Sequence, residues 1–262
     1  MVKSNTKRII KILELFVSDH KKKLISNVLA SRTRHVTLVF EDIEKPHNIS
    51  AVIRTAECLG IQDIHFIKNR NDYSINPSIT QGSAKWLTFH HHRDTKNNID
   101  ACYDFLRADA YKIYGTSLHE TSVSIDDIDP KEKTAIVFGT ESDGISKEAG
   151  EKADGYVHIP MKGFTESFNL SVSAALCLNT LSGKATLPTI TEEEQEYLRA
   201  EWYRKIVREA DLILKSKGID VQEANYQVIT IRECEFDPFH TCHQRMGSSI
   251  DQITNTRHES NP

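Results

Sequence analysis

"HVTLVFEDIEKPHNISAVIRTAECLG", residues 35–60, sets two periodicities side by side. Residues 35–42 form a short apolar run rich in β-branched side chains, the pattern of a buried strand. Ile49, Val52, Ile53 and Ala56 then recur at spacings of three and four, with Gly60 as a stop, which predicts a helix. Between the two, Pro46 stiffens a turn and Asn48 is placed to cap the helix, with Arg54 off its apolar face. Read locally, Asn48 is an N-cap and Arg54 a surface partner of Glu57.

The same alternation continues downstream. "DIHFI" (63–67), "WLTFH" (86–90), "YKIYGTSL" (111–118), "TAIVFGTE" (134–141) and "YVHIPM" (156–161) are short apolar pieces. Helices are predicted between them near 96–107, from Ser146, and from Asn169 to Leu181. Strands alternating with helices predict a largely parallel α/β sheet. Ahead of it, Ile9, Ile10, Leu13 and Phe16 recur at helical spacing, and a second short segment runs from Leu24 to Leu29. Behind Pro188, "TEEEQEYLRAEWYRKIVREADLILKSKG" (191–218) reads as one long helix, capped by Thr191, with acids at its start, bases at its end and Gly218 as its stop. Residues 219–262 are polar and weakly periodic, and a flexible tail is expected there.

A chain of 262 residues accommodates one domain of roughly 150 to 200 residues plus extensions. Apolar runs fall well short of the ~18 residues a membrane span needs, so no membrane association and a cytoplasmic location are expected. The five cysteines (Cys58, Cys102, Cys177, Cys234, Cys242) are odd in number and form no CxxC pair, which favours reduced thiols. Three of them fall on apolar-looking segments, as packing residues do. The net charge of −4 argues against indiscriminate nucleic-acid binding, yet residues 1–35 hold nine Lys/Arg against two acids, a local +7. That cluster is either a phosphate-binding arm or a solvated basic helix. Neither the run His90 to His92 nor "CEFDPFHTCH" (234–243) has a usual zinc spacing, so no metal is expected, and the histidine run is expected at a strand end on the surface.

In parallel sheets, ligands gather at the carboxyl ends of strands. Three loops qualify. The first is "EDIEKPHNIS", which leads to Arg54. In the second, "IVFGTESDGIS" (136–146), Gly139 lets backbone approach a ligand, Gly144 permits a turn and Ser146 caps the next helix. This loop lacks the GK[ST] ending of a triphosphate loop, and the chain contains no GxGxxG. In the third, "IPMKGFTESFNLSVSAALCL" (159–178), a strand ends at Pro160, the chain bends round Gly163, and Ser167 or Asn169 caps a helix. The small residues Ser171, Ser173, Ala174 and Ala175 let backbone come close to it.

In order and spacing, "KPHNISAVIRTAECLG", "FGTESDGIS" and "IPMKGFTESFNLSVSAAL" resemble the three signature motifs of the SpoU branch of the SPOUT methyltransferases. Within it, the likeness over roughly residues 1–220 is to the TrmH-type tRNA guanosine-18 2'-O-methyltransferases. The resemblance implies a SPOUT-type parallel α/β sheet in which residues about 134–183 tie a deep trefoil knot, where periodicity alone gives a Rossmann-like sheet. It implies a basic N-terminal helical arm (1–35), a methyltransferase domain (36–185), a C-terminal helix (186–218) and the tail (219–262). S-adenosylmethionine is then expected against Thr116, Gly139, Ile159, Met161 and Phe168, the last standing where the family usually has leucine. The implied reaction is metal-free methylation of a tRNA ribose 2'-hydroxyl by a homodimer whose sites are completed by the partner subunit. Arg54 is the implied catalytic residue, with Asn48, Glu141, Ser167 and Asn169 completing the site. The alternatives are another tRNA position, ribosomal RNA, or a non-catalytic RNA-binding protein of the same fold.

Overall fold

The strand-loop-helix reading of residues 35–60 is the unit from which the molecule is built. The structure, a computed structural model, describes residues 2–70, 74–93 and 96–219; the expected tail beyond Ile219, Cys234, Cys242 and the stretch 234–243 lie outside the described residues. In chain order, α1 (Val2–Leu13) and α2 (Asp19–Leu29) precede β1 (Val36–Glu41), α3 (Pro46–Cys58), β2 (Asp63–Ile67), the single turn α4 (Pro77–Thr80), β3 (Thr88–His92), α5 (Asn98–Ala108) and β4 (Lys112–Thr116). Then come the two-residue β5 (Val123–Ser124), β6 (Thr134–Phe138), α6 (Lys147–Lys152), β7 (Gly155–His158), α7 (Leu170–Lys184), α8 (Glu192–Ile206) and α9 (Ala210–Ser216).

The seven strands form one sheet in the order β3-β2-β1-β6-β4-β7-β5, with every neighbouring pair parallel. β1 and β6 are buried at every residue, which explains why their sequences are continuous apolar runs instead of alternating ones. Side chains still divide by parity. Leu38 and Phe40 join Ile49, Val52, Ile53 and Ala56 of α3 and Ala174, Cys177 and Leu178 of α7 on one face. Val39 and Val137 join Cys102, Tyr103 and Leu106 of α5 on the other. Each fully buried aliphatic side chain of α3 contributes on the order of 1.5 to 3 kcal/mol.

α3 begins two residues before Asn48. Pro46 occupies its first turn, where a fixed φ and a missing N–H cost nothing, and Lys45 is the N-cap without a side-chain bond. Asn48 is therefore not the cap, and its amide is free for tertiary bonding. Gly60 does end the segment, at φ 78°. Ser146, Asn169 and Thr191 cap their helices, the last through a full capping box with Glu194.

α1 and α2, ahead of the sheet in the chain, form one helical layer with α8 and α9, behind it. Ile9 and Leu13 of α1 and Ile25 and Leu29 of α2 pack with Leu198, Trp202 and Tyr203 of α8 and Ala210 and Leu214 of α9. Phe16, expected on that stripe, is 58% exposed, because a 3-10 turn at Glu14–Phe16 shifts the helical phase. The long helix expected over 191–218 is broken. Val207 is extended and Glu209 sits at φ 53°, so α9 turns its apolar residues back onto α1 and α8. Two of the nine basic residues of the arm are structural: Arg32 is fully buried with its guanidinium 2.8 Å from Glu57 and 5.4 Å from the Trp202 ring, and Arg34 lies 3.3 Å from Asp63. Among the described residues, no helix is long and apolar enough to cross a membrane.

Cys102 and Cys177 are buried, whereas Cys58 is exposed, so only two of these three described cysteines pack internally. The histidine run does end a strand, but it is not a solvated run: His90 and His91 are half-buried and His92 is buried. It forms most of β3, with His92 buried under α5 and His90 stacked 4.4 Å from His65 across the sheet.

Candidate active site

Loops at the carboxyl ends of β4, β6 and β7 enclose a cavity of about 630 Å³. Thr116, Gly139, Ile159, Met161 and Phe168 all line it, and so do Glu141, Ser167 and Asn169. Asn48 and Arg54 are not on its wall.

Each loop is held by identifiable bonds. Thr116 donates its hydroxyl to the Val137 carbonyl at 2.9 Å, joining the ends of β4 and β6. In the second loop, Thr140 and Gly144 exchange backbone hydrogen bonds at 3.0 Å, and Gly144 takes φ 71°. A Cβ on Gly139 would overlap the Gly144 carbonyl, so the backbone that approaches this glycine is the loop's own. The far end of the loop is tied down by Glu41, a buried carboxylate at the end of β1 that accepts the Ser146 N–H at 2.8 Å.

A chain of side-chain hydrogen bonds connects all three loops. Asn169 accepts the Ser171 N–H at 2.9 Å, as the cap of α7, which directs its own NH₂ to the Asn48 carbonyl oxygen at 3.2 Å. The Asn48 amide in turn donates to Glu141. Both ends of this chain are fixed, because a backbone N–H must donate and a carboxylate must accept, so the orientation of each amide follows. Lys45 adds a positive charge 3.8 Å from Glu141 and also lines the cavity.

Arg54 stands apart. It is exposed, six residues along α3 from Asn48, and at 3.6 residues per turn that places it about 120° away around the helix. Its expected partner, Glu57, is engaged by Arg32 instead. Cys177 reaches the cavity wall, but burial pushes its thiol up to about 12, so it is a neutral packing group and no nucleophile. Lys45, Glu41 and Glu166, which also lines the cavity, were not singled out from sequence. Lys45 had one usable signal, its position immediately before the helix-starting proline. Glu41 had none, since an acidic residue ending a strand is ordinary.

A second group of donor atoms lies under α5, where nitrogens of His65 and His92 and the Cys102 sulfur fall within 4.8 Å of one another. Nδ1 of His65 meets Nε2 of His92 at 3.3 Å, with the ring planes within 10° and the centroids 5.6 Å apart. Nearly coplanar rings meeting edge to edge aim their nitrogens at each other, the geometry of an N–H···N hydrogen bond; metal ligands converge at an angle on a point between them.

The chain matches the sequence profile of the SpoU rRNA Methylase family over residues 35–179. It is 39% identical over 206 residues to the tRNA (guanosine(18)-2'-O)-methyltransferase of Borreliella burgdorferi, covering 77% of this chain and 93% of that one. It is 30% identical to the Thermus thermophilus enzyme of the same name, covering 72% of this chain and 98% of that one. Among solved structures, the Aquifex aeolicus TrmH/SpoU tRNA modifying enzyme superposes with a TM-score of 0.63 at 28% identity, over 71% of this chain and 96% of that one.

Proposed function

The chain belongs to the SpoU rRNA Methylase family, and on that premise we propose that it methylates a ribose 2'-hydroxyl of tRNA, at guanosine 18 of the D-loop, using S-adenosylmethionine. One observation carries the reading: Glu141, Ser167 and Asn169 converge on a single cavity from two loops, and Asn48 of a third bonds both Glu141 and Asn169. The Borreliella burgdorferi and Thermus thermophilus relatives, which bear the guanosine-18 name, match 72% to 77% of this chain and nearly all of their own length.

The cavity suits the cofactor. Its volume of about 630 Å³ falls within the roughly 300 to 1,000 Å³ of small-molecule sites. Thr116 and the Gly139 loop would hold the polar parts, and Ile159, Met161 and Phe168 the apolar ones; a phenylalanine at the usual leucine position keeps the apolar contact. S-adenosylmethionine supplies a methyl group on a sulfonium sulfur, and its transfer to the ribose oxygen breaks the C–S bond and releases the hydroxyl proton. The residues of the chain then have to place that hydroxyl in line and stabilise the charge it develops. Arg54 grips the ribose and its neighbouring phosphate with a forked guanidinium. A guanidinium carries donors and no acceptor, so the hydroxyl proton leaves to a phosphate oxygen or water. Glu141, oriented by Asn48 and Asn169, fixes the loops around the reacting ribose, and Ser167 completes the polar wall.

The position of Arg54 off the wall supports a site completed across a homodimer. Val172 and Leu176, 44% and 36% exposed on α7, offer an apolar face for the second subunit. The strand order supports a trefoil knot over about 134–183, since β6 inserts between β1 and β4 and β7 between β4 and β5, both beside strands laid down earlier. The methyltransferase domain would then be 36–185, with 1–35 and 186–218 as the helical layer and a cytoplasmic site of action.

The test is to incubate the protein and labelled cofactor with separate tRNA and ribosomal RNA pools and to map the modified nucleotide. Label at the 2'-oxygen of guanosine 18 is expected. Label confined to another tRNA position or to ribosomal RNA would replace the substrate, and RNA binding without transfer would make the chain a non-catalytic member.

A further inference from the structure

Among the described residues, no large apolar side chain is more exposed than Phe164, at 107%. It lies in the loop between β7 and α7. Met161 and the run Glu166 to Asn169 of the same loop line the cavity, so Phe164 is three residues from one wall residue and two from another. An extended chain spans at most about 3.6 Å per residue, which keeps the Phe164 backbone within about 11 Å of Met161 and about 7 Å of Glu166. Exposed Lys162 precedes it, and Glu166, facing the cavity, follows it.

We propose that Phe164 is a stacking platform for a nucleobase of the RNA, at or next to the methylated nucleotide. The inference rests on the RNA-methylation reading of the adjoining cavity. A ribose held at the mouth of that cavity brings its own base and those of its neighbours to the surrounding rim. The only fully solvated phenyl ring among the described residues sits on that rim. Lys162, exposed two residues before the ring, offers the attached phosphate a counter-charge. The ring gains nothing for the fold, because it packs against nothing, and such a group is favourable only when a flat apolar surface covers it. Base-aromatic stacking tolerates any base, so Phe164 would contribute affinity and placement more than sequence choice. The other candidate occupant, a second copy of the chain, is already offered a separate face by Val172 and Leu176 on α7.

The test uses the full chain carrying Phe164→Ala, Phe164→Leu or Phe164→Trp, with steady-state methyl transfer to a tRNA transcript, calorimetric binding of S-adenosylmethionine, and light scattering. Stacking is worth about 1 to 3 kcal/mol per base, which is about 5- to 150-fold. Phe164→Ala should therefore raise KM for tRNA at least about fivefold while leaving cofactor affinity and molecular mass unchanged. Phe164→Trp should restore KM, and Phe164→Leu, equally apolar but not flat, should not. A KM within twofold of the parent in Phe164→Ala, rescue by leucine as complete as by tryptophan, or a change of mass that assigns the ring to a subunit interface would each overturn the proposal. If the parent protein methylates no RNA, the function reading fails on its own, and the Kd for tRNA replaces KM as the readout: weakened binding in Phe164→Ala that tryptophan restores supports stacking, and unchanged binding rejects it.

Discussion

Arg54 and Gly139 illustrate two ways in which one residue can matter without contributing to the core. Arg54 is exposed and off the cavity wall, so removing it should leave the fold and cofactor binding intact. Arg54→Ala is expected to keep its thermal midpoint and its affinity for S-adenosylmethionine while methyl transfer falls on the order of 10²-fold or more, the scale of losing one group that stabilises developing charge. Arg54→Lys keeps the charge and loses the fork; turnover close to the parent's with lysine would sink the forked-grip role. Gly139 acts oppositely. Because an added Cβ would overlap the Gly144 carbonyl, Gly139→Ala must open the turn that forms one cavity wall. Cofactor affinity should fall at least about tenfold, with a measurable drop in melting temperature, and an alanine variant that binds cofactor normally would show that the turn relaxes without consequence. Both positions were visible in sequence. What sequence reasoning missed was the bonding of Asn48, because a short polar residue ahead of an apolar helical pattern looks like a cap wherever it falls, and only Pro46 at the first turn moved the cap to Lys45.

Elements were legible where burial is uniform. The strands of a parallel sheet covered on both faces read as apolar runs, and each helix between them shows a stripe, so β1, α3, β6 and α7 are visible one by one. The break between α8 and α9 was not visible. Residues 204–211 carry charges of both signs that suit either a continuous helix or a turn, and the turn wins through tertiary contacts: it buries Val207, and Ala210 and Leu214 of the helix that follows, while Arg204 reaches Asp211 across it at 3.1 Å. The basic count of residues 1–35 likewise concealed a structural pair. Arg32, between the helical layer and α3, donates to Glu57 at 2.8 Å and to the Ile61 carbonyl at 3.0 Å. Arg32→Ala should lower unfolding free energy by about 3 kcal/mol, read from chemical denaturation, since it strips a partner from Glu57 and empties the space under Trp202. Glu57→Gln should cost less, because its side chain is 24% exposed and water replaces part of what it loses. Equal losses in the two variants would mean that charge pairing, not packing, dominates.

At the scale of the whole molecule, the sheet order is the least legible feature, because no local pattern says that β6 inserts beside β4 or that a two-residue β5 forms the edge. The same long-range pairing buries His65 and His92 and half-buries His90 and His91. β2 and β3 lie in register, His65 opposite His90, and α5 covers them with Cys102 and Phe105, so a run that looks like a solvated strand end becomes partly interior. This has a consequence for stability against pH. Burial and the neighbouring rings hold His92 down to about 3 and His65 below its ordinary value, with Arg34 acting on His65 in the same direction. Between an unfolded value of about 6.5 and the folded value, the unfolded chain takes up protons that the folded chain refuses, so stability falls as pH drops below about 6.5. Asp63 titrates later. Burial raises its carboxyl, but Arg34, His90 and Lys133 together outweigh that and hold it below the usual range, so its stabilisation is complete above about 4 and is lost only as pH falls further. Melting temperature should therefore be nearly flat above pH 7, decline from about 6.5, and decline further below about 4. His92→Gln keeps a hydrogen-bonding amide within reach of Nδ1 of His65 and removes one titration, so it should flatten the first decline and leave the second, whereas Asp63→Asn should do the reverse. An unchanged slope between pH 6.5 and 4 in His92→Gln would show that the unfolding chain does not gain its protons at this pair.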